Sequence, residues 1–377
     1  MSISSIPEKT RSRLWVMAGG RCEYMGCNRS LWRDDLTMAE MNSAYIAHII
    51  ADSPDGPRGD VVLSKKLAKE ITNLMLLCDM HHRLVDREDV DRHPIERLRE
   101  MKAQHERRIE LLTSIQENRK SHVILYGANV GDHHAPVSSQ KAALAMLPNR
   151  YPAETIAINL GMGDSPFTDC EEGTWLLERE SLHRQFEQRV KPRLTNGDGE
   201  HFSVFAFAPQ PLLIELGRLL SDIPAADVYQ LHREPPTWEW QDHLEGFEYL
   251  VREPETRHAC VVLNLSLSAI ITEARIAAAL GCDHSMWTMT IAEPNNDFLR
   301  SREQLRTFRE RFRRLLDRIK DQHGEAAVIH LFPAVPVSVA VEIGRVWMPK
   351  AHLPMKVYDQ NRKRGGFVHA FDIGCIP

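Results

Sequence analysis

FAFAPQPLLIELGRLL (205–220) and FPAVPVSVAVEIGRVW (332–347) are two versions of one segment. They align at a constant offset, sharing Phe205/Phe332, Pro209/Pro336, Glu215/Glu342, Gly217/Gly344 and Arg218/Arg345, and each is followed by a Val-Tyr pair, Val228-Tyr229 and Val357-Tyr358. An apolar run, a short proline-containing turn and a second run at helical spacing read as strand, turn and helix. Upstream, INLGMG (158–163) resembles LNLSLS (263–268). The C-terminal region therefore reads as two related α/β halves, roughly 155–231 and 260–359. An old duplication without functional meaning would leave this trace. The alternative is geometric. Each copy ends its turn at a helix N-terminus, where free backbone N–H groups form an anion site. Two copies about a pseudo-twofold axis would face one cleft, which suits a ligand with two phosphates and near-twofold shape, such as a cyclic dinucleotide.

Apolar runs at Thr155–Leu160, His201–Phe207, Val228–Leu231, Cys260–Leu265, Trp287–Ile291, Ala327–Phe332 and Lys356–Tyr358 predict strands. Pro211–Leu220 and Arg302–Gln322 predict helices between them. Ahead of this region, His122–Tyr126 reads as a strand and Ser138–Leu147 as a short helix. The polar stretch TSIQENRKSH (113–122) marks a boundary between domains 1–113 and 114–377.

The chain has 377 residues, enough for two or three domains, and its 43% hydrophobic content allows a sizeable core. No apolar run reaches the roughly 18 residues needed to span a bilayer, and Met1–Thr10 lacks the apolar centre of a secretion signal. A cytoplasmic protein with no membrane partner is the expectation. Net charge is −5, and residues 1–112 carry 18 basic and 18 acidic side chains. Bulk charge therefore lends nothing to nucleic-acid binding, although a local patch is still open. Seven scattered cysteines do not form a disulfide framework. Cys170, Cys260, Cys282 and Cys375 read as small core residues.

The N-terminal block has a short helix, Glu8–Ala18, stopped by Gly19-Gly20, and an amphipathic helix, Pro94–Leu112. Between them lie Cys22-x4-Cys27, Ala47-His48-Ile49, Asn73 and Cys78-x2-His81-His82. Thiolates and imidazoles in two short pairs hold structural Zn²⁺ tetrahedrally, so Cys22, Cys27, Cys78 and His81 are the candidate ligands. A small, loop-rich domain gains stability from such a staple. His48, Asn73 and His82 remain. A neutral imidazole at His48 suits a general base, because it titrates near neutrality. His82 suits a ligand of a catalytic cation, and Asn73 either orients the loop carrying His48 or binds metal through its amide oxygen.

AHIIADSPDGPRG (47–59) and NLMLLCDMHHRLVD (73–86) resemble the HNH endonuclease family, of the ββα-metal fold. The resemblance implies phosphodiester hydrolysis assisted by Mg²⁺ or another divalent ion, with His48 activating water. Two positions depart from the family. Ala47 stands where many members carry Asp before the base histidine, leaving Asp52, Asp60 or waters to complete the metal shell. His81 stands where a fourth Cys is common.

VVLNLSLSAIITEARIAAALG (261–281) and HLFPAVPVSVAVEIGRVWMPKAHLPMKVYDQ (330–360) resemble the SAVED domain, over about residues 120–377. The implied fold is an α+β, zinc-stapled HNH domain followed by an α/β SAVED domain of two fused CARF-like (Rossmann-like) halves. The domain order is similar to effector nucleases of bacterial cyclic-oligonucleotide antiphage signalling (CBASS). That resemblance implies a cyclic oligonucleotide activator, ligand-dependent homo-oligomers and double-stranded DNA as substrate. Candidate ligand residues are Ser266 and Ser268 after a strand, Pro336 and Ser338 at a helix start, Phe332, Tyr358 and Trp240 for base stacking, and Arg345 with Arg218 for phosphate. Core packing for Phe332, and pairing of the arginines with Glu342 and Glu215, are the competing readings. Two other functions stay open: a restriction-type HNH nuclease whose C-terminal domain reads modified DNA, and a non-catalytic zinc DNA-binding regulator.

Overall fold

A computed structural model describes residues 5–128, 136–161, 174–196, 200–242, 245–361 and 365–374. The chain divides into two units between Gln116 and Glu117, a few residues beyond the expected boundary. Cys170, Cys375 and the end of INLGMG (158–163) lie outside the described residues. Among the described residues, no helix is long and apolar enough to cross a membrane.

In the first unit, helix α1 (Glu8–Met17) stops at Gly19 and Gly20, both at positive φ, a conformation that L side chains rarely adopt. Strand β1 (Ala44–His48) pairs antiparallel with β2 (Leu74–Cys78), placing His48 opposite Leu74 and Ala44 opposite Cys78. Helix α2 (Leu63–Leu67) lies in the connection. Helix α3 (Asp79–Arg83) leaves the end of β2 directly and runs into a π-helical turn, Leu84–Glu88. Helix α4 (Ile95–Thr113) follows. All five residues of β2 are buried, and Leu14, Leu31, Val85, Leu98 and Met101 join them in one core. The result is a ββα arrangement preceded in the chain by α1 and followed by the longer α4.

The second unit opens with β3 (Lys120–Gly127), α5 (Ser139–Met146), β4 (Tyr151–Pro152), β5 (Ile158–Asn159), α6 (Thr174–Arg189), α7 (Lys191–Asn196), β6 (Phe202–Phe207), α8 (Gln210–Leu220) and β7 (Ala226–Val228). It continues with β8 (Leu250–Arg252), β9 (Cys260–Ser266), α9 (Glu273–Leu280), β10 (His284–Thr290), α10 (Arg302–His323), β11 (Ile329–Ala334), α11 (Val337–Val346), β12 (Met355–Asn361) and β13 (Gly366–Ile373). One sheet runs β4-β3-β6-β7, all parallel, with β5 pairing β3. The other runs β13-β12-β11-β9-β10-β8, with four parallel central strands and antiparallel strands at both edges. Both are open, mostly parallel, Rossmann-like sheets.

Two expectations change here. The first half begins at β3, not at residue 155, because β3 pairs with β6 as β9 pairs with β11. INLGMG therefore does not correspond to LNLSLS. Its strand, β5, flanks β3 as β10 flanks β9, so β3 is the partner of LNLSLS. Local sequence likeness misaligned them, since any short apolar strand followed by glycine or serine reads alike. Cys282 is also exposed rather than a core residue, and Cys260 is half-buried.

The repeated segments themselves become helices α8 and α11, which pack on each other. Each starts at a proline N-cap, Pro209 and Pro336. Both helices are apolar almost all round and nearly every residue is buried, as expected for a helix covered on all sides. At the crossing their backbones touch. A Cβ on Gly217 would lie 1.9 Å from the carbonyl oxygen of Val341, and one on Gly344 would lie 1.9 Å from that of Ile214. The contacts are reciprocal, as a pseudo-twofold axis through the crossing requires. The shared Glu and Arg flank it. Glu215, fully buried, accepts hydrogen bonds from Arg218 at 2.7 Å, Arg179 at 2.8 Å and His183 at 2.5 Å. Glu342 accepts from Arg345 at 2.8 Å and pairs with Arg309 at 3.0 Å. Burial pushes the Glu215 carboxyl upward, but the bonds from His183, Arg218 and Arg179 outweigh it and hold the group well below the usual carboxylate range.

Gly217→Ala is expected to cost about 3 kcal/mol of stability, because the new methyl meets backbone that cannot turn aside. Calorimetric melting of the full chain measures it. Gly366→Ala, whose Cβ would meet nothing within 4 Å, serves as the comparison and is expected to stay within about 0.5 kcal/mol of the parent.

Candidate functional site

The first unit gathers Cys22, Cys27, Cys78 and His81 so that all four donor atoms lie within 4.8 Å of one another. His81 Nδ1 lies 3.2 Å from Cys78 Sγ and 3.6 Å from Cys22 Sγ. Cys22 follows the two glycines that stop α1, Cys27 follows the Gly26 turn at positive φ, Cys78 ends β2 and His81 sits in α3. Tyr24 stacks flat on His81 at 4.1 Å, and its hydroxyl reaches His93 Nε2 at 3.0 Å. Asp89 O accepts from His93 Nδ1, which leaves Nε2 to receive the Tyr24 proton. Burial, with Cys78 and Cys27 adding to it, pushes the Cys22 thiol far above its ordinary range. A cation among the donors would remove that penalty, and three sulfurs with one imidazole nitrogen fit tetrahedral Zn²⁺.

His48 ends β1, Asn73 ends the turn Ile71–Asn73 that leads into β2, and His82 follows His81 in α3. His48, at the end of β1, is buried, and its Nε2 donates to the carbonyl of Ala68 at 3.0 Å. A proton fixed on Nε2 leaves the lone pair on Nδ1, the form a general base needs. Asn73 is also buried and clamps the residue two past His48. Its Oδ1 accepts from Ile50 N at 2.9 Å and its Nδ2 donates to Ile50 O at 2.8 Å. Of the two roles open to Asn73, this geometry matches orientation of the loop and not ligation through the amide oxygen. His82, in α3, stacks on Tyr45 at 4.9 Å and lies 3.4 Å from Asp86 Oδ2. Burial lowers its pKa, with Asp86 acting in the opposite sense.

Two residues beyond the expected set belong here. The buried Arg58 guanidinium donates to Ile49 O and Val85 O, both at 2.8 Å, to His48 O at 3.4 Å and to Asp86 Oδ1 at 2.5 Å. It thereby ties the His48 segment to the π-helical turn. The sequence does carry a signal for Asp86, since His82 and Asp86 are four residues apart on helical backbone. Nothing local signals Arg58. Asp60, one expected stand-in for the missing acidic neighbour, is instead occupied by Val62 N and Leu63 N, which donate to its Oδ1 at the start of α2.

The ligand candidates of the second unit fall into three groups. Phe332 and Tyr358 stack on each other at 4.4 Å inside a small core with Val262, Ile271, Ile276 and Phe367, so neither is a base-stacking surface. Arg345 is buried and its guanidinium is spent on Glu342 and on the carbonyls of Ser221, Pro224 and Ala226, so it has nothing left for phosphate. Arg218 is likewise bound to Glu215. Ser266 is also internal, accepting from Ile271 N at 2.9 Å and donating to Asn264 Oδ1 at 2.8 Å. Packing and pairing, the plainer readings, hold for these residues.

Ser268, Pro336 and Ser338 do lie where strand ends meet helix starts. Ser268, half-buried, donates its N–H to Ala334 O at 2.7 Å, joining the ends of β9 and β11. Pro336 is the N-cap of α11. Ser338 does not cap that helix; its hydroxyl donates to Gln230 Oε1 at 2.8 Å, across from the other half. Gln210, also of the first half, makes a second link to the other half, its Oε1 accepting from Val335 N at 3.2 Å. Neither glutamine was expected, because each stands where the other repeat has a different residue. Trp240 faces a cavity of about 210 Å³ lined by Asp227, Arg302, Arg306, Arg309 and Glu342.

A profile of the SAVED family, "SMODS-associated and fused to various effectors sensor domain", matches residues 182–373. Among solved structures, the chain is similar to an Acinetobacter baumannii Cap4 SAVED/CARF-domain containing receptor with the cyclic trinucleotide 2'3'3'-cAAA. Identity is 13% and TM-score 0.44, over 82% of this chain and 61% of that one. The same receptor with 3'3'3'-cAAA gives 11% identity and TM-score 0.45, over 74% and 61%. A Moraxella osloensis Cap4 SAVED/CARF-domain containing receptor gives 12% and 0.38, over 74% and 58%. The chain thus spans about three-fifths of the length of each of these. No curated protein matches it. With about half of its residues matched by that profile, on a second unit built of two Rossmann-like halves, the chain belongs to the SAVED family.

Proposed function

We propose that this protein is a DNA endonuclease of antiphage defence, of the CBASS type, switched on by a cyclic oligonucleotide. The observation that carries the catalytic half is the ββα unit in which the Ala68 carbonyl sets the His48 tautomer while Asn73 clamps Ile50. Membership of the SAVED family supports the sensing half.

His48 Nδ1 takes a proton from water as the water oxygen bonds to phosphorus. The phosphorus–oxygen ester bond on the opposite side breaks, and the departing alkoxide collects a proton from solvent. Asn73 and Arg58 fix the backbone around His48 so that the imidazole meets the water without reorganising. His82 would hold Mg²⁺ or another divalent ion. When bound, that ion supplies charge stabilisation to the phosphate and the leaving oxygen. Cys22, Cys27, Cys78 and His81 hold a separate, structural Zn²⁺. Double-stranded DNA is the substrate, and the cyclic oligonucleotide binds the second unit.

Activation is a population shift: ligand binds the cutting-competent homo-oligomer more tightly than the idle form and so favours it. The activator is a cyclic di- or trinucleotide, the class the sequence already suggests.

A plasmid-cleavage assay with Mg²⁺ across a panel of cyclic di- and trinucleotides is expected to give cutting with one activator and none without it. Equal cutting in every lane would defeat the sensor reading and favour a restriction-type enzyme. DNA binding without any cutting would favour a zinc-stapled regulator. His48→Ala is expected to abolish cutting while ligand-induced assembly, followed by light scattering, persists.

Elemental analysis is expected to find one Zn²⁺ per chain. Cys78→Ser should lose it, and strong chelation should unfold the first unit at a melting transition of its own.

A further inference from the structure

We infer that Asp86 is a ligand of the catalytic divalent cation, replacing the carboxylate that Ala47 cannot supply. This inference rests on the nuclease reading above and names a metal ligand within it. Three observations converge on Asp86. First, its Oδ2 stands 3.4 Å from His82 Nε2. Two ligand atoms each about 2.1 Å from one ion lie roughly 3.0–3.4 Å apart, for octahedral and tetrahedral angles respectively. His82 and Asp86 are thus already spaced as neighbours in one coordination shell. Second, the carboxylate is oriented from behind. Arg58 Nη2 donates to Oδ1 at 2.5 Å, which turns Oδ2 toward His82, and the same guanidinium holds Ile49 O and His48 O. A ligating carboxylate whose second oxygen is hydrogen-bonded is the usual outer-shell arrangement. Third, the backbone departs from regular helix at this point. Asp86 lies in the π-helical turn Leu84–Glu88, and such turns recur at functional sites. Asp86 and His82 are both about a fifth to a quarter exposed, buried enough to hold an ion and open enough to admit one.

The base and the metal ligands are therefore joined through one residue. Arg58 is a positioning residue. It touches no reacting atom, yet it sets both the backbone that carries His48 and the rotamer of Asp86.

Mn²⁺ binding to the full-length, zinc-loaded protein tests this, read by the loss of the free Mn²⁺ signal in electron paramagnetic resonance. The parent is expected to take up one Mn²⁺ per chain. Asp86→Asn keeps the Arg58 hydrogen bond but removes the charge, and should weaken Mn²⁺ about tenfold or more with zinc content and melting temperature unchanged. Undiminished Mn²⁺ binding by Asp86→Asn overturns the inference and leaves the nuclease reading standing. No Mn²⁺ uptake by the parent overturns the nuclease reading and Asp86 with it. Should Asp86→Asn melt early, the Arg58→Gln, Asp86→Asn double variant leaves no unpaired guanidinium, and its Mn²⁺ binding decides the matter in the same two directions.

Discussion

The second unit depends on two glycines that let two helix backbones meet. Gly217 and Gly344 each stand where a single methyl would overlap the carbonyl oxygen of the other helix. Close approach brings both helices between the sheets, so that α8 and α11 share one continuous core with residues of each sheet. Helices this enclosed must be apolar all round, and the few polar groups they carry must be satisfied in place. That requirement accounts for the repeated glutamate and arginine. Glu215 and Glu342 lie in the core of the seam and can remain there only as ion pairs, which Arg218 and Arg345 provide from the same helix, three residues on. Replacing either partner would strand a buried charge, a larger cost than the pair itself is worth.

The duplication has not stayed symmetric. Arg345 spans the seam to the carbonyls of Ser221, Pro224 and Ala226, while Arg218 remains with Glu215 and Arg179 and His183 complete that cluster. Gln210 and Gln230 likewise cross between halves from positions without a matching residue in the other copy. The helix starts at Pro209 and Pro336 supply the shared geometry, and the side chains around them differ.

The first unit solves a different problem. Its elements are short, and its core is small. The four-donor cluster draws together a turn, a strand end and a helix from two separated stretches of chain. Tyr24 stacked on His81, with His93 and Asp89 behind it, extends that order outward as a chain of hydrogen bonds. On that frame a short hydrogen-bonded segment, Ile49–Ile50, is held from two sides by Asn73 and Arg58. His48 precedes it directly, which is why its ring can be both buried and defined.

The sequence by itself determined the elements and much of the chemistry. The helices at Glu8–Met17, Ser139–Met146 and Ile95–Thr113 lie within a residue or so of their predicted ends, because capping and periodicity are local. The repeat marks two related halves, and the Cys and His spacings mark the four-donor cluster. Tertiary structure decided what distance along the chain conceals. It moved the start of the first half back to β3, since strand order is a matter of pairing and not of likeness. It took Phe332, Tyr358, Ser266 and Arg345 out of the candidate ligand surface, because an aromatic, hydroxyl or guanidinium side chain looks alike in sequence whether it meets the cleft or the core. It also brought Arg58 to Asp86 from 28 residues away, an ion pair that no spacing rule encodes.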